Sequence, residues 1–525
     1  MINPSSMLLQ VKKILGRKNF NNSNLGGLNN SFIIITALLL FCGTNFTFAQ
    51  QSIVRAIKRG LELEYDFKWK QAEDIFQKMI DEYPNDPRGY HYQSSIYLWR
   101  YMSNQDKKDF DEFIAYSDTA ISKGDRLMEK EHQDVGILYI LGADYSYRAL
   151  AFTKAEKFLD AVWASKKSES YLRKTLQADS TYYDAYLGLG LYNFAVGQIP
   201  AAFKWALSLA GIHGDVDLGL GYIKKAAKDG NISKVEAQYY LSQILSDFLF
   251  EYDKAAVYLK ALVERYPNNL LFNYSDAVLD IKRRKLIEAD KILTKIISVK
   301  DTNFQQVTAF SNFLMGDVLF KQNKFEAAKD FYRNFVHNAR DNDYTGIAYY
   351  RLGLCFEITG DRDDAIKCYK LTEKGNMDIE DDVYAERRAA ALIKAPLSGD
   401  EIDLIKYSNM IDNAKYHAAY DSLSNLLEDL KTDRSKAEIY LNLSEAAYQM
   451  GLIKSSANFA LTAKVLNNFG ESWIKPYACY YAARANKKLG NEKNFKSLVE
   501  EAEKYSDFDY QKKLKNMIFA LTAKE

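Results

Sequence analysis

The chain has 525 residues, with 70 Lys and Arg against 69 Asp and Glu. That near-neutral balance excludes a nucleic-acid partner, which requires a basic field. Hydrophobic residues make up 47%, enough for a large core, and only 7 prolines occur, which disfavours a turn-rich β-sandwich. The 38 tyrosines and 29 phenylalanines suit wide, half-buried helix interfaces.

The first 49 residues differ from the rest. Lys12, Lys13, Arg17 and Lys18 come without an acid, an apolar run of 11 residues follows from Phe32 to Cys42, and Thr47 and Ala49 are small. This order reads as a secretory signal over residues 1–49, cut between Ala49 and Gln50. A run of that length is short for a bilayer span, and a retained signal-anchor is the alternative. The bulky Phe41 before Cys42 argues against lipid attachment there. Removal of the segment lowers Lys and Arg to 66 and leaves a net charge of −3. The expectation is an exported protein, periplasmic or associated with the outer envelope. Three cysteines remain, Cys355, Cys368 and Cys479. They are too few for a disulfide framework. Cys355 and Cys368 read as buried apolar side chains, with a pairing between them as the alternative.

Past the signal the chain repeats itself. Ala72, Phe76, Met79 and Pro84 stand at offsets 0, +4, +7 and +12, with Gly60 twelve residues ahead of Ala72. Leu138, Leu141, Gly142 and Tyr145 open another unit, whose second helix near Tyr171 and Leu172 is delayed by about fourteen extra residues relative to a 34-residue repeat. Ala255, Leu259, Leu262 and Pro267 restore the pattern, and Ala289, Leu293 and Ile296 follow 34 residues later. Then come Ala328, Tyr332 and Phe335 behind Gly316, and Ala365, Tyr369 and Thr372 behind Gly353. Ala419, Leu423 and Leu426 mark a late unit, Ala457 and Leu461 another. These positions resemble the tetratricopeptide (TPR) consensus, in which a small residue of the first helix faces a small residue of the second. Large residues four and seven positions on share one helix face and fill the next groove. The fold expected is all-α, a right-handed superhelical solenoid of antiparallel helix pairs, nine to eleven of them between Gln51 and Glu525. Residues 50–395 form an N-terminal array, and residues 396–525 continue it as TPR-like helices. Pro396 and the loss of periodicity around Ala395–Asp400 mark a bend or sub-domain boundary.

Residues 182–231 stand apart. A first helix with Gly190 and Asn193 leads into Ile199–Ile212, an apolar stretch whose one charge is Lys204, and then into Gly214, Asp215, Gly219 and Leu220. With Pro200 and Gly211, these residues resemble the family-39 tetratricopeptide proteins; Val216 stands where that family has arginine. The resemblance implies a helical repeat protein, sometimes linked to membranes or organelle surfaces. Two readings of residues 199–212 remain open. They form a buried helix plugging the inner face, or a hydrophobic contact helix presenting Ile199, Phe203, Trp205 and Leu209 to a membrane or apolar partner.

No catalytic constellation stands out. The histidines, His91, His132, His213, His337 and His417, are far apart in sequence and share no helix face, and no metal-ligand spacing, phosphate loop or nucleophile elbow occurs. The chain is expected to be neither an enzyme nor a cofactor protein. Positions counted from each first-helix glycine place Tyr139, Tyr147, Tyr240, Phe248, Phe313 and Tyr350 along the concave groove. That aromatic, apolar lining lacks the Lys, Arg and Asn with which a TPR clamp holds a terminal carboxylate. The function expected is a non-catalytic protein–protein interaction scaffold of the cell envelope that binds a protein or peptide through this groove, with peripheral membrane contact. The alternative is a glycan- or lipid-associated binding component of a surface system.

Overall fold

The structure, a computed structural model, describes residues 51–130, 134–199, 211–299, 305–430, 435–467 and 471–523. The signal peptide, the Ala49–Gln50 junction, His132, and Phe203, Trp205 and Leu209 of the expected contact helix lie outside them. Contacts divide the chain into Met1–Arg59, whose described residues 51–59 are helical, and Gly60–Glu525.

The second unit starts with helical residues 60–65 and continues with α1 (Trp69–Glu82), α2 (Pro87–Asn104), α3 (Lys107–Lys130), α4 (Val135–Lys154), α5 (Phe158–Ala178) and α6 (Ala185–Gly197). Next come α7 (Val216–Asp229), α8 (Lys234–Asp247), α9 (Tyr252–Arg265), α10 (Leu270–Lys282), α11 (Leu286–Ser298), α12 (Gln305–Lys321) and α13 (Phe325–Asn338). The rest are α14 (Thr345–Ile358), α15 (Arg362–Lys370), α16 (Glu380–Lys394), α17 (Gly399–Asp412), α18 (Tyr416–Asp429) and α19 (Lys436–Gln449), followed by α20 (Ile453–Leu466), α21 (Ile474–Lys488), α22 (Glu492–Glu503) and α23 (Gln511–Thr522). No strand occurs among the described residues. Consecutive helices pack as pairs, such as α4 with α5, α6 with α7 and α12 with α13. First helices of successive pairs also touch, as in α2 with α4, α4 with α6 and α10 with α12. This is the layering of an all-α solenoid.

The turns inside the pairs share one geometry. Phe67, Glu156, Phe250, Arg284, Asn323, Gly360, Ala414, Gly451 and Gly490 all have left-handed φ, each two residues before a second helix. The next amide usually bonds back across the turn, as Lys324 N does to Leu319 O at 2.9 Å and Lys415 N to Met410 O at 2.8 Å. Such a Schellman closure satisfies carbonyls that the helix end leaves open.

The glycines meet something other than the expected small residue. A Cβ on Gly60 would lie 2.2 Å from the Phe76 ring, on Gly316 2.7 Å from Tyr332, and on Gly353 2.4 Å from Tyr369. The first-helix glycine therefore receives the aromatic ring four residues beyond each alanine, so the pair is small against large. In the segment that resembles family 39 the glycines do bring backbones together. A Cβ on Gly219 would lie 2.5 Å from Phe194 N, and one on Gly190 3.0 Å from Gly219 O. Asp215 caps α7 by accepting from Leu218 N at 2.8 Å.

The second unit closes on itself at points far apart in sequence. Asn269 Nδ2 donates to Tyr65 O at 2.8 Å, and the Tyr65 and Tyr266 rings meet edge to face at 5.6 Å. Further along, α2 packs on α12, Gln105 donates to Asp341 at 2.7 Å and Arg340 to Asn104 O at 2.7 Å. After the Pro396 loop, α17 packs on α12, with Asn409 donating to Phe320 O at 2.9 Å. Near the C-terminus Arg387 binds Asp509 at 2.7 Å and the Tyr384 and Tyr510 rings lie 5.2 Å apart. These contacts draw the first helices together around half-open inner spaces.

Candidate functional site

The first of these spaces is a half-open chamber of about 450 Å3 lined from helical residues 60–65 and from α2, α4, α5, α6 and α8. Its wall is mostly apolar: Leu61, Tyr65, Tyr92, Tyr139, Tyr147, Leu187, Leu191, Phe194, Tyr240 and Phe248. Four of the six expected groove residues, Tyr139, Tyr147, Tyr240 and Phe248, meet here. Ring contacts hold them: Tyr147 stacks on His91 at 5.2 Å, and Phe248 meets Phe194 edge to face at 5.2 Å.

Two carboxylates, Asp184 and Glu236, interrupt the apolar wall. Glu236, 8% exposed, accepts at a single oxygen from Tyr147 at 2.6 Å and from Tyr65 at 3.2 Å. Its position is set by Asp184, whose Oδ1 accepts from the amides of Asn231, Ile232 and Ser233 at 2.8, 2.8 and 2.9 Å. Three amides on one oxygen fix the turn into α8, and Glu236 sits in that helix's first turn. Burial raises the Glu236 carboxyl above its ordinary value, although both tyrosine hydroxyls and nearby His91 oppose the rise. Glu64 is also buried, accepts from Ser95 at 2.9 Å and is raised well above the usual carboxylate range, first by burial. No basic side chain bonds either acid among the described residues. His91 is taken by Asp144, Nδ1 to Oδ1 at 2.9 Å.

A second chamber of about 340 Å3 lies among α12, α14, α16, α17 and α19, with Ile474 and Tyr510 completing its wall. Tyr350, a further expected groove residue, lines it. This space is polar; its three cations are paired, whereas Glu438 on its wall has no salt bridge among the described residues. Arg351 pairs with Asp317, Arg388 with Glu471 at 2.6 Å, and Lys321 with Asp412 at 3.0 Å. Phe313 lines neither chamber; it is 7% exposed and packs on Phe335 at 5.1 Å. Ile199 is half-buried after α6.

The outer surface holds a feature missed in the periodicity. On α5, Phe158 is 64% exposed, Leu159 88%, Val162 45% and Trp163 51%. The signal was present as the surplus of residues before Tyr171, which lengthens α4 to 20 and α5 to 21 residues against 13 in α6.

Among the described residues no group of three His, Cys, Asp or Glu could hold a metal, and no helix is long and apolar enough to cross a membrane. Cys355, Cys368 and Cys479 are free and buried.

Helix pairs with a small-against-aromatic seam, stacked so that first helices line an inner wall, define a TPR solenoid. Residues 29–369 match the family described as Iml2/Tetratricopeptide repeat protein 39, and the chain belongs to that family. Repeat families of this type generally serve as protein-interaction scaffolds. Among solved structures the chain is similar to yeast Tom70 at 13% identity and TM-score 0.26, over 90% of this chain and 95% of that one. It is also similar to the TPR domain of P58(IPK), at 14% identity and TM-score 0.21, over 78% and 95% of the two chains. The APC/C hetero-tetramer Cut9–Hcn1 matches at 13% identity and TM-score 0.24, over 88% and 95%. No curated protein matches.

Proposed function

We propose that the protein is a non-catalytic scaffold of the cell envelope that grips a partner protein by a short anchoring segment held in the α2–α8 chamber. The observation that supports this is the convergence of Tyr139, Tyr147, Tyr240 and Phe248 on one apolar space of about 450 Å3. A concave apolar space of that size suits a few inserted side chains. Closure of the turn by Asn269 and Tyr65 favours an inserted anchor over a strand laid along an open groove. The aromatic wall supplies rigid contact area, and Glu236 favours an anchor that carries a hydrogen-bond donor or an ammonium group. A terminal carboxylate would face Glu236 without a cation to receive it.

A photo-crosslinking residue at Gln243, on the chamber wall, and another at Lys260, on the exposed outer face, test this in intact envelopes. One protein captured in stoichiometric yield from position 243 and not from 260 is the expected result, reduced by Glu236→Leu. Equal capture from both positions overturns the reading, and glycan or lipid in place of protein at position 243 supports a ligand-binding component of a surface system.

A further inference from the structure

We infer that the first two turns of α5 form a contact surface for the headgroup region of an anionic lipid membrane. Phe158, Leu159, Val162 and Trp163 fall at i, i+1, i+4 and i+5 and so share one helix face. All four are substantially exposed, Leu159 to 88%. The opposite face of the same helix is buried through Ala161, Ala164, Ser168 and Leu172, which anchors α5 in the solenoid. Trp163 also rests edge to face on Tyr145 of α4 at 5.4 Å, while Phe158 and Leu159 stand 64% and 88% exposed. A soluble surface seldom groups large side chains this way without a partner.

Charge indicates which partner. From residue 154 to 174 there are six Lys and Arg against Glu156, Asp160 and Glu169, a local net charge of +3. The chain after the signal carries −3. A lysine borders the apolar face and another continues the basic side further along α5: Lys167 Nζ lies 5.6 Å from the Trp163 ring and Lys174 Nζ 5.6 Å from Tyr171. A helix presenting Phe, Leu and Trp between lysines lies in the membrane interface, with the rings at the headgroup level and the ammonium groups against lipid phosphate. The solenoid supplies the rigidity, so no ordering of the helix is needed on contact. This surface is separate from the inner chamber and does not depend on what the chamber holds. One of the two readings left open for residues 199–212 was a contact of this kind; α5 offers one among the described residues.

Flotation of the purified full-length protein with phosphatidylcholine vesicles, with and without one quarter phosphatidylglycerol, tests the inference. The expected result is binding about 10-fold stronger to the anionic vesicles, weakened by raised salt. Leu159→Asp with Trp163→Ser is expected to lower it at least 10-fold, and Lys167→Glu with Lys174→Glu to remove the preference for phosphatidylglycerol. The substituted residues are exposed, so circular dichroism and melting should stay unchanged. Vesicle binding insensitive to Leu159→Asp/Trp163→Ser overturns the inference by moving the contact elsewhere. Absence of binding to either vesicle overturns it, as does loss of partner-protein capture in that variant with vesicle binding intact.

Discussion

Replacing Gly353 by alanine should destabilise the α14–α15 pair, although alanine is the better helix former. The added methyl would lie 2.4 Å from Tyr369 Cε1 and 2.6 Å from Cδ1. The ring cannot easily withdraw, because Tyr369 is 1% exposed and its hydroxyl donates to Glu357 at 2.6 Å. Overpacking of this kind costs about 1–3 kcal/mol. Disturbing a hydrogen bond to a carboxylate adds about 1.5–3 kcal/mol if it breaks. Against these stands a gain of about 1 kcal/mol from helix propensity. The net loss should be on the order of 2 kcal/mol. In a Tyr369→Ala background the obstacle is gone, and the same Gly353→Ala change should return about 1 kcal/mol in stability. A repeat array opens locally, so the appropriate assay is native-state hydrogen exchange of α14 and α15 amides, read by mass spectrometry. Unchanged or higher protection in Gly353→Ala, or an equal loss with and without Tyr369, would refute the small-against-aromatic account of the seam.

Glu445 accepts from Arg284 at 2.6 Å and from Arg484 at 2.5 Å. Burial alone would raise its carboxyl, but Arg484 and Arg284 outweigh it and bring it from 4.5 down to about 2. The stabilisation, roughly 3 kcal/mol, is therefore fully present above about pH 4.5 and lost as the pH falls toward 2. Melting curves of wild type and Glu445→Gln should differ most above pH 5 and converge near pH 2; a constant gap would contradict the assignment. The three cysteines should resist iodoacetamide in the native protein and react after unfolding, since burial lifts Cys368 to about 11 and Cys479 to about 12 and raises Cys355 further. Rapid native labelling, or a gel shift on reduction, would count against this. Asn269→Ala removes both the cap on Phe272 N at 2.9 Å and the bond to Tyr65 O at 2.8 Å. Together these are worth about 2 kcal/mol. Exchange should accelerate at residues 61–66 as well as at the start of α10, whereas a change confined to α10 would mean that the closure adds nothing.

The helix pairs were legible because the 34-residue spacing from Ala255 to Ala289 and the offsets of four and seven report local contacts. The partner of each glycine was misjudged for a reason the offsets do not encode. Alignment of Gly353 with Ala365 shows only that both are small. Which side chain enters the space depends on the stagger of the two helices, and that stagger delivers Tyr369. Cys355 and Cys368 are buried free thiols, the first of the two readings of their sequence. Four of six groove positions gathered in one chamber because first-helix periodicity does specify an inward face. Phe313 obeys the same count yet lies in the core against Phe335, since at that repeat the neighbouring pair leaves no open space beside it. Glu236 was not singled out at all. Nothing in its sequence neighbourhood marks it, because the hydroxyls that hold it come from Tyr65 and Tyr147, 171 and 89 residues away.

Closure explains why inward-facing residues and binding-site residues are different sets. In an open solenoid every first helix contributes equally to a groove, and a count from glycine would suffice. Here contacts more than 200 residues apart in sequence, Tyr65 with Asn269 and Asn104 with Arg340, bring one stretch of the array against another. The inner wall is thereby divided into two spaces of opposite character. The first keeps an acid without a basic partner in an apolar setting, where a donor or cation gains most from arriving. The second pairs Arg388 with Glu471 and Lys321 with Asp412, so an incoming anion would have to displace a carboxylate already present. Desolvated charge that is already paired resists exchange. The two chambers therefore differ in polarity and in the anions they would admit more than in size, and the difference comes from residues that no repeat consensus specifies.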